Sequence, residues 1–140
     1  MEVQINLIGV LAAAGAAMVI GSLWYSNPVF GKQWRKLEDI DDKKAKANMQ
    51  TGMLGMVVIS LLSAYVLAHV TYLSDNFFED YTYKTAALST AFWVWLGFFV
   101  PALAGNSLFN QRPWKSTAIH AGNWLVTLTA MALVIGAIGV

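Results

Sequence analysis

Residues 47–74 read ANMQTGMLGMVVISLLSAYVLAHVTYLS and contain no Asp, Glu, Lys or Arg. Roughly 20 apolar residues suffice for a helix to cross the hydrocarbon core of a bilayer, and this run leaves residues over at both ends for the headgroups. Outward from it the same property recurs, because residues 3–31, 85–111 and 116–140 are also free of charge. The nine basic and eight acidic residues of the 140-residue chain fall in three connecting segments, plus Glu2. This pattern predicts an all-α polytopic membrane protein forming one membrane domain over residues 1–140. Its four transmembrane helices are expected at about residues 3–24, 51–72, 85–105 and 116–138.

Composition narrows the chemistry. The chain is 57% hydrophobic and 12% charged, where a soluble domain carries about a quarter charged residues. It has no cysteine, which excludes disulfides, iron–sulfur clusters and thiol nucleophiles. Its net charge of +1 gives no sign of a nucleic-acid partner, since the basic residues flank helix ends where lipid accounts for them. Met1 to Asn6 carries an acid and no base, and the apolar run continues to Trp24. That is longer than the core of a signal peptide, so the first helix is expected to be retained.

Charge asymmetry orients the chain. Lys32, Arg35, Lys36, Lys43, Lys44 and Lys46 lie in the first connection, and Arg112 and Lys115 in the third. The second carries only Lys84, beside Asp75, Glu79 and Asp80. The positive-inside rule places residues 25–50 and 106–115 in the cytoplasm and both termini outside. Trp24, Tyr25, Trp34 and Trp114 then mark the inner surface, and Tyr72, Phe77, Phe78, Tyr81 and Tyr83 the outer one.

Within the first connection, Pro28 and Gly31 break the helix, and Phe30, Trp34 and Leu37 then recur at i, i+4, i+7. Lys32, Arg35 and Lys36 lie off that stripe, the pattern of a short interfacial helix with its bases toward lipid phosphates. Asp41 and Asp42 occupy cap and first-turn positions for a long helix running from Lys43 to Tyr72. On helix one, Gly9, Ala13, Ala17 and Gly21 form a small-residue ridge, widened by Ala12 and Ala16, of the kind that lets helices approach in lipid. Gly52 and Gly55 are expected to let helix two approach such a ridge, more readily within the chain than between copies. The segments Asn27 to Phe30 with Trp34-Arg35, and Asn106 to Phe109 with Trp114-Lys115, share a spacing that suggests a parallel repeat. Interfacial composition accounts for that similarity equally well.

The run Trp24-Tyr25-Ser26-Asn27-Pro28-Val29-Phe30-Gly31-Lys32-Gln33-Trp34 resembles the signature of an uncharacterised family of small bacterial membrane proteins. That family has four helices and a WYS-P-x-x-FG-x-x-W style segment after the first. The proline here stands one place later than in that pattern. The resemblance implies a four-helix unit of a bacterial inner membrane, with no activity attached.

No catalytic set and no metal-binding motif converges in the sequence, and nothing in it names a cofactor. Asp, Glu, Lys and Arg are absent from all four stretches, which argues against an ion-coupled transporter. His69 and His120 differ in depth by roughly 20 Å, so they do not share one haem iron within a chain. Helix three carries Phe92, Trp93, Trp95, Phe98 and Phe99 near mid-membrane, and Pro101 is expected to kink it and free the Gly97 carbonyl.

One polar constellation stands out in the inner leaflet. His120, Asn123, Trp124 and Thr127 share a face of helix four, with Ser22, Trp24, Tyr25 and Asn106 at similar depth and Arg112 and Lys115 at the edge. Interhelical hydrogen bonding is the plain account of this group. The functional one is a lipid or ligand site formed by Trp24, Tyr25, Asn106, Arg112, His120 and Asn123. The 120/123/127 face is expected to turn inward, leaving Leu125, Leu128 and Ala132 toward lipid or another subunit. Taken together, these features suggest a non-enzymatic structural or accessory membrane subunit in contact with lipids, in a homo-oligomer or larger complex. An oligomeric channel or facilitator for a small solute is the alternative.

Overall fold

Asn6 sets where the first helix begins. Its side chain accepts from the backbone N–H groups of Ile8 at 3.0 Å and Gly9 at 3.4 Å, satisfying donors that a helix start leaves open. Helix α1 therefore runs Leu7–Trp24, starting later than hydropathy alone suggests. The computed structural model describes residues 2–140, and these contain helices and no strand.

Beyond Tyr25 the chain makes a π turn over Asn27–Gly31, closed by the Gly31 N–H donating to the Ser26 carbonyl at 2.9 Å. A Cβ on Gly31 would collide with the carbonyl oxygens of Tyr25 and Ser26, so only glycine fits there. The short helix α2, Lys32–Leu37, follows directly. It ends at Glu38, and Asp39 adopts φ +51°, a left-handed conformation that Asp tolerates better than most residues. Asp41 then caps α3 by accepting from the Lys44 N–H at 2.7 Å.

Helix α3 runs Asp42–Phe77, 36 residues. That is about 54 Å at 1.5 Å per residue, well beyond the ~30 Å hydrocarbon core. Thr82 caps the next helix, accepting from the Thr85 N–H at 3.2 Å. That helix is continuous over Tyr83–Phe109 but changes pitch: α4 spans Tyr83–Val94, a π turn Trp95–Phe99, and α5 Val100–Phe109. The break expected at Pro101 thus takes the form of a widened turn just before it, with the Val100 N–H reaching back to the Trp95 carbonyl. Such a turn relieves the clash between a proline ring and the carbonyl four residues earlier. Helix α6, Trp114–Ile138, ends at Gly139 with φ +78°.

Four helices, α1, α3, the α4–α5 unit and α6, are each long and apolar enough to cross a membrane. Around the bundle α1 packs against α6 and α3, and α4 packs against α6 and α3. The core is built largely from alanine: Ala13, Ala14 and Ala17 of α1, Ala64 and Ala68 of α3, Ala87 and Ala91 of α4 and Ala132 of α6, with Met131 as the largest enclosed side chain. Small residues let the helices approach closely, which is what association in lipid requires. Gly9, Ala13 and Ala17 serve this purpose within the chain, whereas Ala12 is exposed.

The packing is uneven along the bundle. We call the end holding residues 25–50 and 106–115 the basic end, and the other the acidic end. The enclosed positions of α3 start at Ser60 and run to Thr71, toward the acidic end. Between Met49 and Ile59, α3 leaves Met49, Met53, Leu54, Val57, Val58 and Ile59 exposed. A Cβ on Gly52 or Gly55 would meet nothing within 4 Å. Contrary to the sequence-based expectation, these glycines do not meet the α1 ridge, because the side on which each would carry a Cβ faces open space.

Two further expectations are corrected. Leu128 and Ala132 lie in the core, at 2% and 0% exposure, because α1 and α4 flank α6 on both sides and widen its covered arc. Val126, Thr129 and Leu133 face outward instead. The proposed repeat has no local counterpart, since Asn27–Gly31 is a π turn while Asn106 to Phe109 continues α5 as α-helix.

Candidate functional site

At the basic end, two indoles are fastened to the backbone of α6. Trp24 Nε1–H donates to the Ile119 carbonyl at 3.0 Å and Trp95 Nε1–H to the Ala121 carbonyl at 2.8 Å. A carbonyl has two lone pairs, so each accepts an indole without losing its helical bond. Gly122 makes room for the first of them: a Cβ there would stand 3.0 Å from Trp24 Cζ2. Phe30 closes over Trp24 at a ring separation of 4.7 Å, and Phe99 packs on Trp124 at 4.5 Å. The deep tryptophan of the π turn, Trp95, thus has the N–H partner that its burial demands.

Next to Trp24, the Tyr25 hydroxyl meets His120 Nδ1 at 2.5 Å, and the Trp34 ring lies 5.0 Å from the Tyr25 ring. On the far side of the imidazole, His120 Nε2 lies 3.5 Å from Glu38 Oε1. Ser116, itself buried, donates its hydroxyl to the same Glu38 oxygen. Arg112 Nη1 lies 3.5 Å from both carboxylate oxygens. The Glu38 side chain is 14% exposed and that of Arg112 50%. Residues from the end of α1, the end of α2 and the start of α6 therefore converge on one carboxylate.

The protonation pattern follows from these partners. Burial raises the Glu38 pKa, but the Ser116 hydrogen bond, the Arg112 charge and His120 together outweigh it and hold the carboxyl below the usual value. An ionised carboxylate only accepts, so in the neutral imidazole Nε2 carries the hydrogen and Nδ1 accepts from the Tyr25 hydroxyl. Burial first, and the nearby Glu38 charge second, push the Tyr25 phenol well above the ordinary tyrosine value. It stays a hydrogen-bond donor and is disfavoured as a nucleophile. The arrangement resembles an acid–imidazole–hydroxyl relay in connectivity, but its electrostatics suit fastening rather than attack.

Of the residues singled out from sequence, Trp24, Tyr25, Arg112 and His120 meet in this cluster. Asn123 is buried further along α6, accepting from Thr127 Oγ1 at 3.5 Å. Asn106 does not join: it is exposed on α5 and accepts from the Asn110 amide at 3.0 Å. The expectation that Asn106 faces the interior is therefore corrected, because that face of α5 is turned away from α6. Ser107, the next residue, points inward and bonds Thr117 across to α6. Lys115 and Ser22 are exposed as well.

Sequence reasoning missed Glu38 and Ser116. The available signal was that Glu38 stands four residues after Trp34, on the apolar face of α2 rather than among its bases. Two surface grooves lie away from the cluster, one between α3 and the second π turn (Leu62, Val66, Phe99, Leu128), the other at the acidic end of α3. Among the described residues, no group of His, Cys, Asp or Glu is placed to hold a metal ion.

The chain belongs to the family described as Protein of unknown function (DUF1761), whose model matches residues 8–136. The resemblance drawn from sequence, to an uncharacterised family, holds at that level. No curated protein and no solved structure matches the chain.

Proposed function

We propose that this member of the DUF1761 family is a non-enzymatic accessory subunit of the bacterial plasma membrane, acting in a homo-oligomer or a larger membrane complex. The basic end lies in the cytoplasm and both termini outside, as the distribution of eight of nine basic residues favours. Membrane lipids contact the remaining surface, and nucleic acid is not a partner.

The observation that carries this reading is the unsupported half of α3. From Met49 to Ile59 it is mostly apolar, holds two glycines with open space beside them, and leaves Met49, Met53, Leu54, Val57, Val58 and Ile59 exposed. Glycine weakens a helix by about 1 kcal/mol relative to alanine. In membranes it is enriched where another helix approaches closely. The occupant favoured here is a helix of another copy or of a partner subunit. The raised phenol of Tyr25, held as a donor to His120, supports a structural role for the cluster around Glu38.

The chain has no cysteine, so single cysteines report cleanly. Gly52→Cys and Met53→Cys, placed in turn, labelled with a benzophenone maleimide and irradiated in native membranes, are expected to cross-link to a second polypeptide. Thr129→Cys, on the exposed face of α6, serves as the comparison. Cross-linking no greater at positions 52 and 53 than at 129 would refute the assignment of this half of α3 as the contact.

A further inference from the structure

Residues 32–59 form an arm: α2, the elbow at Glu38 to Asp41, and the unsupported half of α3. Its polar contacts are of two kinds. Arg35–Asp42 at 3.2 Å, Asp41 on the Lys44 N–H and Lys44 Nζ on the Asp39 carbonyl all stay inside the arm. Among the described residues, the side-chain polar contacts from the arm to the rest of the protein converge on Glu38, through Ser116, His120 and Arg112. The next fastening is Ser60, whose hydroxyl lies 3.7 Å from Met18 Sδ. Gly52 and Gly55, the weak points of the helix, lie between the two.

We infer that Glu38 is a charge-dependent latch: while ionised it holds the elbow against the start of α6, and when neutralised it lets α2 and the elbow move away from the bundle between the π turn at Gly31 and the Gly52–Ser60 region. The groups facing its carboxylate are Tyr25 from the end of α1, and Arg112, Ser116 and His120 from α6 and its lead-in. On its own element, Arg35 is occupied by Asp42. Neutralisation removes the attraction to Arg112 and weakens both hydrogen bonds at once, whereas the Trp34 ring contact with Tyr25 is short-range and adaptable. The fastened state is the ionised one and the folded pKa is lowered. The latch is therefore closed above the ordinary glutamate value and opens as pH falls through the lowered one. The latch stands independently of what the α3 surface meets.

The test is a distance measurement between spin labels at Lys46→Cys on the arm and Lys115→Cys on α6, in liposomes, with labelled protein diluted in unlabelled protein so that only distances within one chain are read. At neutral pH one narrow distribution is expected. Glu38→Gln should broaden it and lengthen its mean by several ångströms at the same pH. Acid should produce the same change in the Glu38 protein, with a midpoint below the ordinary glutamate value, and no further change in Glu38→Gln. An unchanged distribution in Glu38→Gln would overturn the latch, and so would an acid transition of equal size persisting in that variant. If Glu38→Gln does not fold, the acid titration of the Glu38 protein decides, and a flat response through the lowered range would overturn the proposal.

Discussion

Gly122 has no room for a methyl group unless Trp24 yields. The added Cβ would meet Trp24 Cζ2 at 3.0 Å and Cη2 at 3.3 Å, and the indole is tied to the Ile119 carbonyl, so its retreat costs a hydrogen bond. Gly122→Ala should therefore destabilise the bundle by about 1–3 kcal/mol, the usual range for overpacking. Urea unfolding in detergent checks it, and combining it with Trp24→Phe, which removes the clashing ring and the bond together, should give much less than the sum of the two changes. At this scale Trp24, Tyr25, Arg112 and His120 were legible because helix spacing sets depth, and depth brought them to one level. Asn106 was misplaced for the complementary reason. Depth says nothing about which way a side chain points around the helix axis, and that depends on which neighbours flank it. Glu38 reaches Ser116 across 78 positions of sequence, a contact that no local pattern encodes.

The π turn at Asn27–Gly31 is the element that brings the end of α1 and the end of α2 to the same patch of α6. Its closure depends on Gly31, where any side chain would strike the backbone carbonyls of Tyr25 and Ser26. Gly31→Ala should unseat α2, exposing Trp34 and loosening Tyr25 from His120. The expected signature is a red shift in tryptophan emission and a gain in proteolysis within residues 32–46, with helix content little changed. Unaltered proteolysis would show that the turn closes without glycine. Break and restart were readable from Pro28, Gly31 and the Phe30, Trp34, Leu37 stripe, and so was the cap at Asp41. The π geometry was not, because it rests on the Gly31 N–H reaching back to the Ser26 carbonyl, a closure that composition does not encode. The same holds for the turn before Pro101, where the sequence marks the break but not its form.

Across the whole molecule, α3 is the uneven element, enclosed toward the acidic end and open toward the basic end. Alanine-lined contacts enclose α3 from Ser60 to Thr71, whereas from Met49 to Ile59 its apolar side chains face outward. Four charge-free apolar stretches announce four helices from the sequence, since length and hydropathy decide whether a segment can cross a bilayer. The open space beside Gly52 and Gly55 was hidden, because these glycines read the same in sequence whether they meet α1 or a helix outside the chain. In the function proposed here, assembly through that surface is the protein's role. Native mass measurement of the unmodified protein, carried with its surrounding lipid into nanodiscs from gently solubilised membranes, reads assembly without any substitution. Expected is a multiple of the 15.3 kDa chain mass, or that mass joined to another polypeptide; a lone 15.3 kDa species at every concentration would contradict it.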